Sequence, residues 1–471
     1  MNLLIQKLPI KGLSFSFLMI FILIGLSACS SAKLQADFTL ATQAPSLLPP
    51  LQIVITPLPS STPAAAIPED LFYVDATQDQ GPISPYVYGS NYGPWLFVTS
   101  EMRPFVEAEK ITLLRFPAGN WGDQNDLDNW SIDQYISFCK EMNSEPMISV
   151  RLYESTPEKA ANLVKYANVI QKYDVKYWAI GNEPNLFKNY DTEKFNQEWL
   201  SFAKAMKEVD PKIKLIGPEP NQFTADLIIN PKDSTGKDWL DEFLKANGKE
   251  VDIVGIHRYP LPINQNDAPP TKNDLLKTSE EWDDIVPVLR AKIHQFTGRD
   301  LPIAVTEVNS SYAATVATKT SLDSFYNALW WGDSLGRMIR QGVDMVNQFA
   351  LVGDFGLMGK YNVYPIYYVY QMYQHFGSER LLASSPDHEV SLFAAKNKVD
   401  GLTLMFINRG EKSKSLPIKV DHFACSGNYS AWIFDATHKA ETDKVENYFI
   451  KEKQMVNLPP ESMVLLVLDK L

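Results

Sequence analysis

Short apolar runs rich in β-branched residues recur eight times along the chain, with room for a helix between successive runs. They lie at residues 86–88, 111–116, 147–152, 177–180, 213–216, 253–256, 303–305 and 345–349. One interval opens with Thr156-Pro157, which is typical of a helix N-cap followed by proline at the first helical position. Eight strand–helix repeats predict an α/β fold, and they favour a (β/α)8 TIM barrel over a doubly wound open sheet.

The pattern changes after about residue 377 to short strands separated by turn residues. Such strands occupy 390–393, 402–407, 429–434 and 463–468. This spacing predicts a C-terminal β-sandwich. We therefore expect a catalytic barrel over 69–377 and a sandwich over 378–471, with one further strand contributed by residues 69–80.

The N-terminus carries the features of an export signal. Lys7 and Lys11 precede an apolar run over 13–26, which is followed by small residues. A basic start, a short apolar stretch and a small-residue end are typical of a secretory signal peptide, here 1–28. An uncleaved membrane anchor is the alternative, although the run is short for a complete span.

The signal ends in Leu26-Ser27-Ala28-Cys29, which resembles the lipobox of bacterial lipoproteins. That resemblance implies lipidation of Cys29, a lipid anchor in the membrane and a catalytic domain outside the cytoplasm. Residues 29–68 are rich in Pro, Ser and Thr. A segment of this composition buries too little apolar surface to fold, so we expect an extended tether.

The net charge and the absence of metal-binding and phosphate-binding motifs disfavour several classes of function. The 44 basic and 56 acidic residues give a net charge of -12, which disfavours a nucleic-acid partner and is compatible with neutral ligands such as sugars. The six His residues show no metal-ligand spacing, and neither a Gly-rich phosphate loop nor a nucleophile elbow occurs. We expect no metal and no cofactor; the sequence does not indicate an oligomeric state.

Two glutamates follow strands of the predicted barrel. Glu183 ends the fourth run in Asn182-Glu183-Pro184, and Glu307 ends the seventh. Active sites of such barrels lie at the carboxyl ends of the strands, so we expect both acids in the mouth of the barrel. Two carboxyl groups about 5–5.5 Å apart suit a retaining glycosidase. Each glutamate alone could instead be an ordinary loop carboxylate.

These motifs resemble those of the retaining glycoside hydrolases of clan A. The motifs are Trp-Ala-Ile-Gly-Asn-Glu-Pro-Asn around Glu183 and Ala-Val-Thr-Glu ending at Glu307, and the resemblance spans about 75–471. It implies that Glu183 is the general acid/base and that Glu307 is the nucleophile. Asn182 is then placed to bind a sugar hydroxyl.

The segment 114–120, Leu-Arg-Phe-Pro-Ala-Gly-Asn, is similar to a motif of the α-L-arabinofuranosidase and β-xylosidase branch, families 51 and 39. The resemblance implies that Arg115 supports the nucleophile and that Asn120 contacts substrate. It also implies that His257 and Tyr259 lie beside the nucleophile and that Gln348 binds substrate. His257 by itself could be a packed polar residue.

Other residues near the predicted strand ends are less specific. Trp95 and Trp121 follow the first two strands, where flat rings could stack on sugars. The branch's arabinofuranosidases carry an acid after strand one, whereas residues 88–93 contain none, which weighs against that specificity. We interpret Glu219, after strand five, as a loop carboxylate in preference to a substrate contact.

Together the motifs predict a retaining hydrolase of poly- or oligosaccharides that uses a two-Glu double displacement, with arabinofuranosidase-like or β-xylosidase-like specificity. An endo-β-glycanase resembling cellulases or xylanases, or a transglycosylase of the same clan, shares the motifs. A non-catalytic sugar-binding lipoprotein is a further alternative, but that class predicts the loss of one catalytic Glu, and both are present.

Overall fold

The computed structural model describes residues 67–261, 268–313, 318–397, 401–442, 448–450 and 454–471. The predicted signal, the predicted lipidation site Cys29 and all but residues 67 and 68 of the predicted tether lie outside the described residues. Across the part of the chain that is described, no helix has the length and apolar character needed to cross a bilayer.

Within the described residues, eighteen strands form two separate sheets. In chain order they are β1 (Phe72–Pro82), β2 (Gly89–Asn91), β3 (Leu113–Phe116), β4 (Glu145–Val150), β5 (Tyr177–Ile180), β6 (Lys214–Pro218), β7 (Ile253–Arg258), β8 (Ile303–Val308), β9 (Met345–Gln348), β10 (Glu379–Ser384), β11 (Val390–Lys396), β12 (Leu402–Asn408), β13 (Lys414–Asp421), β14 (Cys425–Phe434), β15 (Lys439–Thr442), β16 (Phe449–Ile450), β17 (Met455–Leu458) and β18 (Ser462–Lys470).

The helices lie mainly between the strands of the first sheet. They are α1 (Arg103–Glu109), α2 (Trp121–Gln124), α3 (Asn129–Met142), α4 (Pro157–Val164), α5 (Thr192–Val209), α6 (Trp239–Asn247), α7 (Lys272–Lys277), α8 (Trp282–Thr297), α9 (Phe325–Arg340) and α10 (Pro365–Tyr373). A π-helical turn (Lys165–Ile170) extends α4, and short 3-10 helices cover Pro85–Val87, Pro184–Leu186 and Thr278–Glu281.

The strands β2 to β9 form a closed parallel barrel in chain order, and β9 pairs with β2. This confirms the predicted (β/α)8 barrel. Side chains alternate along each strand, so one set fills the interior while the other packs against the helices. The interior layer takes one residue from each of β3 to β9: Leu113, Met147, Ala179, Ile216, Ile253, Ala304 and Met345.

Side-chain caps begin several of the barrel helices, and one of them lies where the sequence predicts it. The side chain of Thr156 accepts a hydrogen bond from the Lys159 amide, and Pro157 occupies the first position of α4. Asp128 and Asp191 cap α3 and α5 in the same way. These caps fix where each loop at the mouth of the barrel ends.

In the described part of the chain, the second sheet comprises ten strands in the order β15-β14-β18-β12-β11-β10-β1-β13-β17-β16. Its pairs are antiparallel except that β1 runs parallel to β13. The rings of Tyr429 on β14 and Phe449 on β16 lie 5.8 Å apart, although these strands are near opposite ends of the order. The sheet therefore folds back over its own apolar core, which confirms the predicted β-sandwich.

The sandwich packs closely on the last two barrel helices. A Cβ at Gly336 of α9 would lie 2.2 Å from Cε2 of Phe393 on β11, so only glycine allows this approach. In the same contact, Arg337 of α9 donates to the buried Asp333 at 2.9 Å and to Ser391 of β11 at 3.0 Å. The sandwich thus braces the barrel on the side of α9.

Candidate active site

Glu183 leaves the barrel at the end of β5 in an unusual backbone conformation. Its φ of 48° and ψ of 54° lie in the left-handed region, and the 3-10 helix Pro184–Leu186 begins directly after it. The Glu183 amide donates to the carbonyl of Glu219 at 3.1 Å. A non-glycine residue held in this region is typical of a functional position.

Glu307 lies opposite, within β8. One carboxylate oxygen of Glu183, one of Glu307 and a ring nitrogen of His257 all lie within 4.8 Å of one another. That separation is close to the roughly 5–5.5 Å between the carboxyl groups of retaining glycosidases. Both acids are nearly buried, with exposed fractions of 8% for Glu183 and 5% for Glu307.

Arg115 at the end of β3 lies at the centre of the site. Its guanidinium is fully buried and donates to Glu307 Oε2 at 3.2 Å and to Glu219 Oε2 at 2.8 Å. It also donates to Asn182 Oδ1 at 2.8 Å and to Asn91 Oδ1 at 3.1 Å. Burial lowers the pKa of Arg115, but the charges of Glu219 and Glu307 more than offset this and raise it. The group therefore stays cationic beside Glu307.

Two side chains from the end of β7 contact the acids. His257 Nδ1 lies 3.0 Å from Glu183 Oε1, and the Tyr259 hydroxyl donates to Glu307 Oε1 at 2.5 Å. Burial lowers the pKa of His257, but the charge of Glu307 and the hydrogen bond to Glu183 raise it further, so that the net shift is upward. His257 is thus part of the acid cluster as well as of the core.

The electrostatic balance of Glu307 has contributions of both signs. Burial is the largest and raises the pKa of Glu307, and the charge of Glu183 adds to it. The charges of His257 and Arg115 and the Tyr259 hydrogen bond lower it, and the net shift is upward. The same three groups are the ones that stabilise Glu307 once it is ionised.

Glu183, His257 and Glu307 could together offer three ligand atoms to a metal ion. The contacts already present favour another interpretation. Arg115 places a permanent positive charge 3.2 Å from Glu307, and His257 is hydrogen-bonded to Glu183. A divalent cation here would meet that charge directly, so we interpret the cluster as a hydrogen-bonded acid pair.

The structure buries two further carboxyl groups, one that sequence reasoning misinterpreted and one that it missed. The interpretation of Glu219 as a loop carboxylate is wrong, because its side chain is only 1% exposed and forms the ion pair with Arg115. Asp123 of α2 is also buried. Burial raises its pKa to about 7, although hydrogen bonding from the Leu152 and Asn182 amides acts to lower it. The only signal for Glu219 was its place after a strand, which Glu183 and Glu307 share.

A cavity of about 410 Å³ opens above the acids. Its lining consists of the two acids, carboxamides, glycine, and apolar and aromatic residues: Gly119, Asn120, Glu183, Leu186, Asn221, Gln222, Tyr259, Glu307, Tyr312 and Phe349. Among the predicted site residues, Asn120 and Tyr259 thus join the two acids at the cavity, while Arg115, Asn182 and His257 are buried behind them.

Three predicted residues are placed elsewhere. Gln348 is fully buried, and its amide donates to the carbonyls of Phe349 at 3.0 Å and Phe355 at 3.1 Å. It therefore holds the loop after β9 and does not line the cavity. Trp95 and Trp121 lie with ring centroids 6.5 Å apart, outside the lining, and Trp95 is 43% exposed. Trp121 directly follows the lining residue Asn120.

Known proteins resemble part of this chain in sequence. A family profile described as glycosyl hydrolases family 39 matches residues 157–353. An intracellular exo-α-(1→5)-L-arabinofuranosidase 1 of Bacillus subtilis (strain 168) is 22% identical over 200 residues, which are 34% of this chain and 38% of that enzyme. The corresponding enzyme of Acetivibrio thermocellus is 25% identical over 173 residues, 33% of this chain and 32% of its own length. The chain thus spans only about a third of the length of these relatives.

Solved structures share the whole architecture. A family 51 arabinofuranosidase from Xanthomonas axonopodis pv. citri superposes with a TM-score of 0.69 at 15% identity, covering 85% of this chain and all of that one. A family 44 xyloglucanase from Paenibacillus polymyxa gives a TM-score of 0.65 at 16% identity, covering 85% and 99%. Similarity at this identity establishes the fold. Together with the family match, it confirms the resemblance to the TIM-barrel glycoside hydrolases of clan A.

Proposed function

We propose that this protein is a retaining O-glycoside hydrolase in which Glu307 is the nucleophile and Glu183 is the general acid/base. The observation that carries the proposal is the approach of the two carboxylates to within 4.8 Å at the carboxyl ends of β5 and β8. The hydrogen-bond partners of the two glutamates differ as the roles of nucleophile and general acid/base require. Glu307 receives the cationic Arg115 and the Tyr259 hydroxyl, which favour a carboxylate, whereas Glu183 contacts His257.

In the first step, the Glu307 carboxylate attacks the anomeric carbon while the bond to the leaving oxygen breaks. Glu183 gives its proton to that oxygen, so a glycosyl ester on Glu307 and a free alcohol result. In the second step, Glu183 takes a proton from water, whose oxygen attacks the anomeric carbon and displaces Glu307. Both glutamates return to their starting state, and the configuration at the sugar is retained.

The cavity lining supports a neutral sugar as substrate. Besides the two acids, the lining offers the carboxamides of Asn120, Asn221 and Gln222, which suit hydroxyl groups, and the apolar surfaces of Leu186 and Phe349, which suit the faces of a sugar ring. The relatives matched in sequence are named as arabinofuranosidases. Arabinosides and xylosides of plant or microbial polysaccharides are therefore the substrates that we propose first.

A panel of 4-nitrophenyl glycosides and matching oligosaccharides tests the proposal. The wild type should hydrolyse at least one aryl glycoside together with the oligosaccharide that has the same glycone. Glu307→Gln should lower kcat/KM by at least about 10³-fold on both of these substrates, since removing a catalytic residue commonly costs this much. Glu183→Gln should impair the oligosaccharide far more than the activated aryl glycoside. Wild-type rates in the Glu307 variant would refute the assignment.

We further propose that the protein is exported and anchored to a membrane by lipid on Cys29, with its catalytic domain outside the cytoplasm. The support is the Leu-Ser-Ala-Cys sequence after a short apolar run. Metabolic labelling with a radioactive fatty acid should mark the wild type, and Cys29→Ala should abolish both the label and recovery in the membrane fraction. Unchanged labelling in the variant would contradict this proposal.

A further inference from the structure

The orientation of the Gln222 carboxamide is determined by its neighbours. Its Oε1 accepts from Arg258 Nη1 at 3.2 Å and from the Tyr259 backbone amide at 3.1 Å. Both partners can only donate, so the oxygen must face them and the NH2 group must face away. Arg258 is itself held by Glu281, with Nε 2.9 Å from Oε1. In the described part of the chain, Gln222 Nε2 donates to no protein group, and Gln222 lines the cavity.

Asn221 is oriented by the same logic. The backbone amide of Asn221 can only donate, and it lies 2.9 Å from Asn185 Oδ1, which accepts its hydrogen bond. The Asn185 NH2 group therefore faces Asn221 and donates to its Oδ1 at 2.7 Å. Asn221 Nδ2 is left without a partner among the residues described, and Asn221 also lines the cavity.

Both amides lie on the side of the cavity that carries Glu183. They follow β6, which pairs with β5, and Asn221 is joined to Asn185, two residues after Glu183. Leu186, 54% exposed, adds apolar surface to the cavity next to them. A general acid must lie beside the oxygen that it protonates, so the leaving group has to occupy the space near Glu183.

We propose that Asn221 and Gln222 form a binding site for the leaving-group sugar, with their NH2 groups donating to its hydroxyl oxygens. The site takes a neutral, hydroxyl-bearing sugar, and Leu186 contacts the apolar part of that ring. This inference rests on the proposed function and adds a specificity to it. The two amides therefore select between leaving groups and do not take part in the bond changes.

The test compares two substrates that share the glycone and differ in the leaving group. The pairs are xylobiose with 4-nitrophenyl β-D-xylopyranoside, and (1→5)-α-L-arabinobiose with 4-nitrophenyl α-L-arabinofuranoside. Nitrophenol has no hydroxyl beyond the leaving oxygen itself. The pair used is the one that the wild type hydrolyses, and kcat/KM is measured on both members with the full chain.

Asn221→Asp and Gln222→Glu are the matched variants, because each keeps the oxygen that Asn185 or Arg258 binds and removes the NH2 donors. Each should lower kcat/KM on the disaccharide by about 3- to 10-fold relative to the aryl glycoside, the usual worth of one hydrogen bond. An added charge that alters Glu183 would also affect the disaccharide more than the aryl glycoside, because only the disaccharide needs a protonated leaving group, so a neutral variant has to separate the two effects. Asn221→Ala, without an added charge, should change the ratio in the same direction. Gln295→Ala, on the exposed face of α8, is the control and should leave both rates unchanged.

An unchanged ratio in all three site variants would overturn the proposed leaving-group site, whether both rates fall or neither does. Cleavage by the wild type of the aryl glycosides but of neither disaccharide would also overturn it. A wild type that hydrolyses none of the four compounds and nothing in the wider panel would instead overturn the proposed function. The two failures are therefore distinguishable.

Discussion

Removing the Tyr259 hydroxyl should change the pH dependence of the reaction in a defined direction. In Tyr259→Phe, Glu307 Oε1 loses a donor at 2.5 Å in a buried site, while Arg115 stays in contact with Oε2. A hydrogen bond to a charged group contributes about 1.5–3 kcal/mol. At about 1.4 kcal/mol per unit, the carboxylate loses enough stabilisation to raise the pKa of Glu307 by about 1–2 units.

The nucleophile must be ionised, so the acidic limb of the kcat/KM profile reports its pKa in the free enzyme. We expect this limb to move upward by about 1–2 pH units in Tyr259→Phe, measured with an aryl glycoside that the wild type cleaves. Tyr190→Phe is the control, because Tyr190 also donates to a carboxylate at 2.5 Å, that of Glu198, outside the acid pair. An acidic limb that stays in place or moves downward would refute the role given to Tyr259.

Two further variants test the buried carboxyls. Because burial raises the pKa of Asp123 to about 7, the folded state binds more protons than the unfolded state between about pH 4 and pH 7. Asp123 should therefore lower the free energy of unfolding by up to about 4 kcal/mol across that range as the pH rises. Urea unfolding at both ends of this pH range should show a smaller fall in the free energy of unfolding for Asp123→Asn than for the wild type. An equal fall in both would contradict the raised pKa of Asp123. Glu219→Gln removes one charge next to Arg115 and should cost about 1–3 kcal/mol of stability together with a loss of kcat/KM. Wild-type stability and rate would show that this ion pair has no role.

The sequence predicts the barrel and the acid pair because their signals are local. Eight runs of apolar residues define the strands, and closing a parallel barrel brings all carboxyl ends to one face. Glu183 and Glu307 then meet although 124 positions separate them in the chain. Predicting this approach of Glu183 and Glu307 requires only the fold class and the positions of two strand ends.

Other parts of the site depend on contacts that no local pattern encodes. Glu219 resembles any loop carboxylate until Arg115, 104 positions away, is placed against it. Gln348 ends a strand as the acids do, yet its amide turns to the carbonyls of the following loop. The orientation of Gln222 follows from donors on β7 and the residue after it, which only the tertiary structure brings together. A position at the end of a strand predicts that a residue lies near the mouth of the barrel. The direction of its side chain depends on hydrogen-bond partners that lie far away in the sequence.

The stereochemistry of azide products tests the central assignment most directly, since the two glutamates predict opposite outcomes. With Glu183→Ala and an activated aryl glycoside, azide should attack the glycosyl ester on Glu307 and give a glycosyl azide of retained configuration. With Glu307→Ala, azide should take the place of the missing nucleophile and give the inverted glycosyl azide. Proton NMR of the anomeric signal distinguishes the two products. Inverted product from Glu183→Ala with retained product from Glu307→Ala, or inversion by the wild type in water, would contradict the account.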